Sequence, residues 1–107
     1  MAFFELRQYK VLPGKMDGWV ALMEAEIIPL QVAQGMVITG SYRGETDDGA
    51  YVWIRRFNDE AERVAQYKAV YESEQWKTVI APRVPDYLDR SAIVVTRLLA
   101  TPRSPTQ

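Results

Sequence analysis

Phe4-Glu5-Leu6-Arg7-Gln8-Tyr9-Lys10-Val11-Leu12-Pro13-Gly14-Lys15 holds a strand, a corner and the approach to a helix in twelve residues. Apolar and polar residues alternate over 3–11, the period of a half-buried strand. Pro13-Gly14 breaks it. Side chains two apart share a sheet face, so Glu5, Arg7 and Tyr9 stand together. A face carrying a carboxylate, a guanidinium and a phenol needs a polar neighbour, which is a subunit interface, a ligand or both. The plan recurs at Tyr51-Val52-Trp53-Ile54-Arg55-Arg56-Phe57, which again runs into a helix start.

Met16, Trp19, Val20, Met23, Ile27 and Leu30 follow the first strand at spacings of three and four. They make the apolar stripe of a helix expected over 14–34. Pro29 should kink or loosen its last turns, and Gly35 should end it. Residues 36–43 read as a second strand with a bulge near Gly40. The polar cluster 44–49 turns that strand into a third at 50–57. Asn58 is a natural N-cap for a second helix over 59–72, with Ala61, Val64, Ala65 and Tyr71 as its inward candidates. Ser73 caps a short helix through Trp76 and Val79 that ends before Pro82. Residues 83–89 read as loop and 91–99 as the last strand.

The order β-α-β-β-α-β implies an α+β, ferredoxin-like domain, an antiparallel sheet with two helices on one face. A single domain is expected over 3–99, with a flexible C-terminal tail at 100–107. Glu5, Arg7, Tyr9, Tyr51, Trp53, Arg55 and Phe57, with Thr39 or Tyr42, are assigned to the face away from the helices. Trp53 and Phe57 are too apolar to leave wet there. Pairing two sheets across a two-fold axis would bury them, so a homodimeric α+β barrel is expected, with Arg7 and Glu5 in its seam.

Composition removes much chemistry. With 13 basic and 14 acidic residues and a net charge of −1, the chain lacks the basic stripe that nucleic acid requires. It has no Cys and no His, so it offers no thiolate nucleophile, no imidazole base and no usual zinc or axial haem ligand. No phosphate loop or dinucleotide fingerprint is present, and no cofactor or metal is expected. The acidic pairs Asp47/Asp48 and Asp86/Asp89 lack the ligand ladder of a calcium loop and read as solvated turns. No apolar run is long enough to span a bilayer, and the start lacks a secretory pattern, so a cytoplasmic protein is expected.

The residues also carry a resemblance. Phe4-Glu5-Leu6-Arg7-Gln8-Tyr9, Pro13-Gly14-Lys15, the run Trp53-Ile54-Arg55-Arg56-Phe57-Asn58-Asp59-x-x-Glu62-Arg63 and the later Tyr71-x4-Trp76 together resemble the NIPSNAP family over about residues 3–99. Position 4 is Phe where Tyr is common in that family. The resemblance implies a dimeric α+β barrel. A lone domain of this size looks like the small bacterial members. Related barrels include cofactor-independent monooxygenases, lactone isomerases and haem enzymes, the last relying on an axial His that this chain lacks.

Arg7, Tyr9, Trp53 and Arg55 are the ligand-binding candidates, since residues 7 and 9, and 53 and 55, share faces of strands expected to be neighbours. Glu5 is read as the partner that holds Arg7. Two guanidiniums so close repel unless an anion lies between them, and Glu5 can neutralise only one. A small anionic or aromatic ligand is therefore the expected second partner. Two functions fit. One is a homodimeric small-molecule-binding or interaction module. The other is a cofactor-independent monooxygenase or isomerase acting on an enolic, quinone-like or polyketide-like substrate. There a tyrosine (Tyr9, Tyr42 or Tyr71) would orient or protonate an oxygen, and Arg7 or Arg55 would stabilise an oxyanion.

Overall fold

The computed structural model describes residues 1–107. Strands β1 (Phe3–Val11), β2 (Val37–Arg43), β3 (Ala50–Phe57) and β4 (Leu88–Leu98) form one antiparallel sheet in the order β2-β3-β1-β4. Helix α1 (16–33) is continuous but not uniform. Its α-helical ends, Met16–Leu22 and Ile28–Ala33, flank a π-helical segment at Met23–Ile27. The looseness lies just before Pro29, where a proline ring crowds the carbonyl four residues back and cannot donate to it. Helix α2 is Glu60–Tyr71, and α3 is a π-helical segment at Gln75–Ile80 that runs into a 3-10 turn at Ala81–Asp86. This is the expected α+β order, with the last strand starting earlier and the late loop wound into that turn. No helix is long and apolar enough to cross a membrane.

Local chemistry explains the joints. Gly14 and Gly35 close β1 and α1 at φ 74° and 92°, where a side chain would be strained. The N-cap of α2 is Asp59, one residue later than expected. Its carboxylate accepts from the Glu62 N–H at 2.7 Å, while Glu62 reaches back to the Asn58 N–H at 2.6 Å. The β2–β3 register slips between Ile38 and Gly40, beside the glycine expected to mark a bulge.

One expectation is overturned. Cross-strand pairs Phe3↔Phe57, Glu5↔Arg55, Arg7↔Trp53 and Tyr9↔Tyr51 put these side chains on one face, as read, but that face meets the helices. Trp53 and Tyr51 join Trp19, Met23 and Ile27 of α1 in the main core. Phe3 and Phe57 pack with Val70 of α2. The helical layer can take the polar members as well, because α2 turns Arg63, Tyr67 and Tyr71 inward and leaves Ala61, Val64 and Ala65 exposed. Trp53 and Phe57 thus need no second subunit, and Arg7 is not a seam residue. The opposite face carries Phe4, Leu6, Val52, Ile54 and Leu98, with exposed Tyr42 at its β2 side. Residues 99–107 fold back over part of this face, and the Gln107 carbonyl accepts from Arg56 Nε at 2.6 Å.

A buried polar cluster ties α2 to the sheet. Glu5 and Arg55 are 1% and 0% exposed, and Arg55 Nη2 donates to Glu5 Oε1 at 2.8 Å. Arg63 Nε donates to Glu5 Oε2 at 2.8 Å, and the Tyr67 hydroxyl to Oε1 at 2.7 Å. Arg55 also donates to the Tyr67 and Tyr71 hydroxyls at 2.6 and 2.7 Å, to Gln31 at 3.2 Å and, more weakly, to Met36 Sδ at 3.6 Å. Its guanidinium also lies 4.7 Å from the Trp53 ring centroid. Burial by itself raises the Glu5 carboxyl, but the bonds from Arg63 and Tyr67 and the charge of Arg55 outweigh it and hold Glu5 below its ordinary 4.5.

Removing one member leaves a buried, unmatched charge, so Glu5→Gln or Arg55→Ala should cost about 3 kcal/mol or more at neutral pH. Because the folded state holds Glu5 below 4.5, its contribution is complete above that value and lost as pH falls through the lower folded pKa. Urea denaturation should therefore show a wild-type advantage over Glu5→Gln that is constant from pH 7 to about pH 5 and shrinks below. An advantage unchanged down to pH 3 would mean that the carboxylate charge is not its source.

Candidate functional site

Above this cluster the helices do not close fully on the sheet. A cavity of about 170 Å³ lies between them, and every element except β2 contributes to its wall. Strand β1 supplies Arg7 and Tyr9, and β3 supplies Trp53. From the helices come Trp19, Met23, Ile27 and Gln31 (α1), Tyr67 and Tyr71 (α2) and Trp76 (α3). Met23 and Ile27 belong to the π-helical segment of α1, and Trp76 to that of α3. A wider turn displaces side chains from their regular spacing, and here both such segments border the same hollow.

The sheet also opens at this point. In the β1–β4 ladder Gln8 pairs with Val94 and Lys10 with Asp89, so residues 90–93 of β4 stand opposite Tyr9 alone. The excess chain bows outward. Arg90 and Ile93 from this bow line the cavity, and Arg90 is solvent-exposed, which marks this side as the mouth. Val84 and Leu88 border the same side, and the 3-10 turn carrying Val84 is latched to α1 by an ion pair between Arg83 and Glu26.

Arg7 is the charged group of the interior wall. Its Nε donates to the Tyr9 hydroxyl at 2.8 Å and its Nη1 to the Tyr67 hydroxyl at a long 3.4 Å. Nη2 makes no bond, and no carboxylate lies within ion-pairing distance of any of its nitrogens. Glu5, expected to hold Arg7, is used up by Arg55, Arg63 and Tyr67 instead. The reason is register: Glu5 faces Arg55 directly across β1–β3, whereas Arg7 faces Trp53. Arg55, the fourth candidate, lies outside the cavity wall in the buried cluster beside it. Of the expected ligand-binding set, the structure brings Arg7, Tyr9 and Trp53 together at the cavity and assigns Arg55 and Glu5 to its support.

The remaining polar lining is rich in donors. The indole N–H groups of Trp19 and Trp53 are buried without an acceptor. Burial raises the Tyr9 hydroxyl above its ordinary value, partly countered by the Arg7 charge, and burial pushes Tyr67 up to about 12. Both phenols are therefore protonated at neutral pH. No acid lines the cavity, and the Gln31 carbonyl is taken by Arg55.

Sequence reasoning turned Tyr71 inward but missed Arg63 and Tyr67 of α2. Arg63, Tyr67 and Tyr71 recur every four residues, which puts them on one helix face. That signal was available, but the small apolar residues Ala61, Val64 and Ala65 masked it. The bow in β4 left no comparable mark.

The NIPSNAP family model matches residues 4–103. A NIPSNAP family protein from Agrobacterium tumefaciens has a similar structure, with a TM-score of 0.88 at 20% identity over 100% of both chains. A NIPSNAP domain protein from Burkholderia xenovorans gives 0.83 at 19% identity, covering 96% of this chain and 98% of its own. A protein of unknown function from Nitrosomonas europaea gives 0.66 at 16% identity, covering 99% and 96%. No curated protein sequence matches. At such identities the likeness between structures concerns the fold. The family model spans most of the chain, from within β1 to beyond β4, and on that ground the chain belongs to the NIPSNAP family.

Proposed function

We propose that this domain is a homodimeric small-molecule-binding module whose cavity takes a small aromatic or apolar anion. The observation that carries the reading is Arg7, a guanidinium at a cavity wall with no carboxylate partner and an unbonded Nη2. A partly desolvated cation without a counter-ion is costly unless an anion arrives to pair with it. The walls suit a flat body, since Tyr9, Trp19, Trp53, Tyr71 and Trp76 all present rings. A volume of about 170 Å³ matches one substituted ring, because cavities of about 150 Å³ accept benzene.

The enzymatic alternative finds less support. Tyr9 and Tyr67 are shifted upward and Glu5 downward, so none of these groups is poised to exchange protons near neutrality. Binding needs only the protonated donors that are present.

The homodimer part of the reading rests on the other sheet face. Leu6, Val52 and Ile54, with exposed Leu98, form an apolar surface with no helix over it, and Phe4 lies buried beside residues 99–101. A second copy related by a two-fold axis would cover it with the same surface.

Two measurements test these statements. Calorimetry should show that benzoate binds and that its neutral isostere benzamide binds at least tenfold more weakly, a preference that Arg7→Gln should abolish because one charge-assisted bond accounts for about that factor. If neither benzoate nor related single-ring acids bind, the cavity reading falls. Sedimentation at micromolar concentration should show twice 12.3 kDa for wild type, and Leu6→Lys should shift it toward monomer. Arg7→Gln should leave the dimer intact, since Arg7 faces the helices. A monomeric wild type would remove the dimer from the proposal.

A further inference from the structure

We infer that the cavity selects acids bearing a second oxygen acceptor next to the carboxylate, as in an ortho-hydroxy aromatic acid or an aryl 2-oxo acid. The inference deepens the proposed binding of a small aromatic anion and rests on it. It comes from Tyr9 rather than from Arg7. The Tyr9 hydroxyl accepts from Arg7 Nε at 2.8 Å, and its own proton has no acceptor in the protein. A phenol held on one side by a cation is polarised toward donating on the other. The Trp53 indole lies edge-on to the Tyr9 ring, with centroids 6.2 Å apart, and its buried N–H likewise has no acceptor.

Two donors of different kinds therefore stand side by side on β1. One is the free edge of Arg7, suited to a carboxylate, and the other is the Tyr9 hydroxyl, suited to a single oxygen. Arg7 and Tyr9 are joined through the Nε–hydroxyl bond, so their free donors serve neighbouring atoms of one ligand. A carboxylate alone would satisfy Arg7 and leave the Tyr9 proton unmatched. An oxygen on the adjacent carbon or ring position would engage both. In salicylate the phenol proton is tied internally to the carboxylate, so the phenol oxygen presents lone pairs to an outside donor. The carbonyl of a 2-oxo acid does the same. Buried donors left without an acceptor cost free energy, and a ligand that relieves that cost is favoured over one that does not.

Binding of three probes separates the outcomes. Salicylate should bind the full-length wild type about tenfold tighter than benzoate or 4-hydroxybenzoate. Tyr9→Phe keeps the ring and should erase the salicylate advantage, bringing salicylate and benzoate to equal affinity. The Trp53 indole N–H resonance of wild type should shift more with salicylate than with benzoate, a readout independent of affinity. If salicylate and benzoate bind wild type equally, or if Tyr9→Phe preserves the preference, the inference is overturned and the anion-binding reading stands. If no single-ring acid binds at all, both fall.

Discussion

Glu5 is the carboxylate on which the rest of the site depends. It is buried to 1% exposure and takes Arg55, Arg63 and Tyr67, which leaves it nothing for Arg7. A charge in that position is tolerated only with complete pairing, so the helix that brings Arg63 and Tyr67 must sit over β1 and β3. That choice fixes which sheet face is covered and turns Tyr71 toward Arg55. It also leaves one guanidinium of the face without a counter-charge.

The cavity follows from the same arrangement. Ordinary packing would fill the space over Arg7 with side chains, since interiors tolerate few voids. Here the two π-helical segments and the bow in β4 hold Trp76, Ile27 and Arg90 around a hollow instead of closing it. Irregular segments satisfy fewer backbone bonds in regular geometry, and three of them around one space separate this region from the well-paired sheet below. The regularly paired part of the molecule carries the charged cluster, and the irregular part frames the opening.

The proposed catalytic and binding roles part at the protonation state. The Tyr9 and Tyr67 phenols at the cavity are pushed toward their neutral forms, and the one buried acid, Glu5, is pushed toward its charged form and fully bonded. Such a set recognises charge and oxygen atoms well, but it moves protons poorly near neutral pH.

Much of this was legible along the chain. Periodicity, Pro13-Gly14, Gly35, the polar turn at 44–49 and the start of α2 are local signals. They determined the β-α-β-β-α-β order and its approximate bounds, because caps, turns and alternation act over a few residues. Period two also showed that residues 5, 7 and 9 share a face, as do 53 and 55. It could not show which face the helices would cover, since alternation is symmetric until a second layer is placed. Nor could it show that Glu5 would choose Arg55 and Arg63 over Arg7. That choice was decided by cross-strand register and by the side of α2 that turned inward, both set by contacts up to 62 positions apart in the chain. The NIPSNAP fold was therefore readable from local patterning, while the unpaired state of Arg7 emerged only when three distant elements competed for one carboxylate.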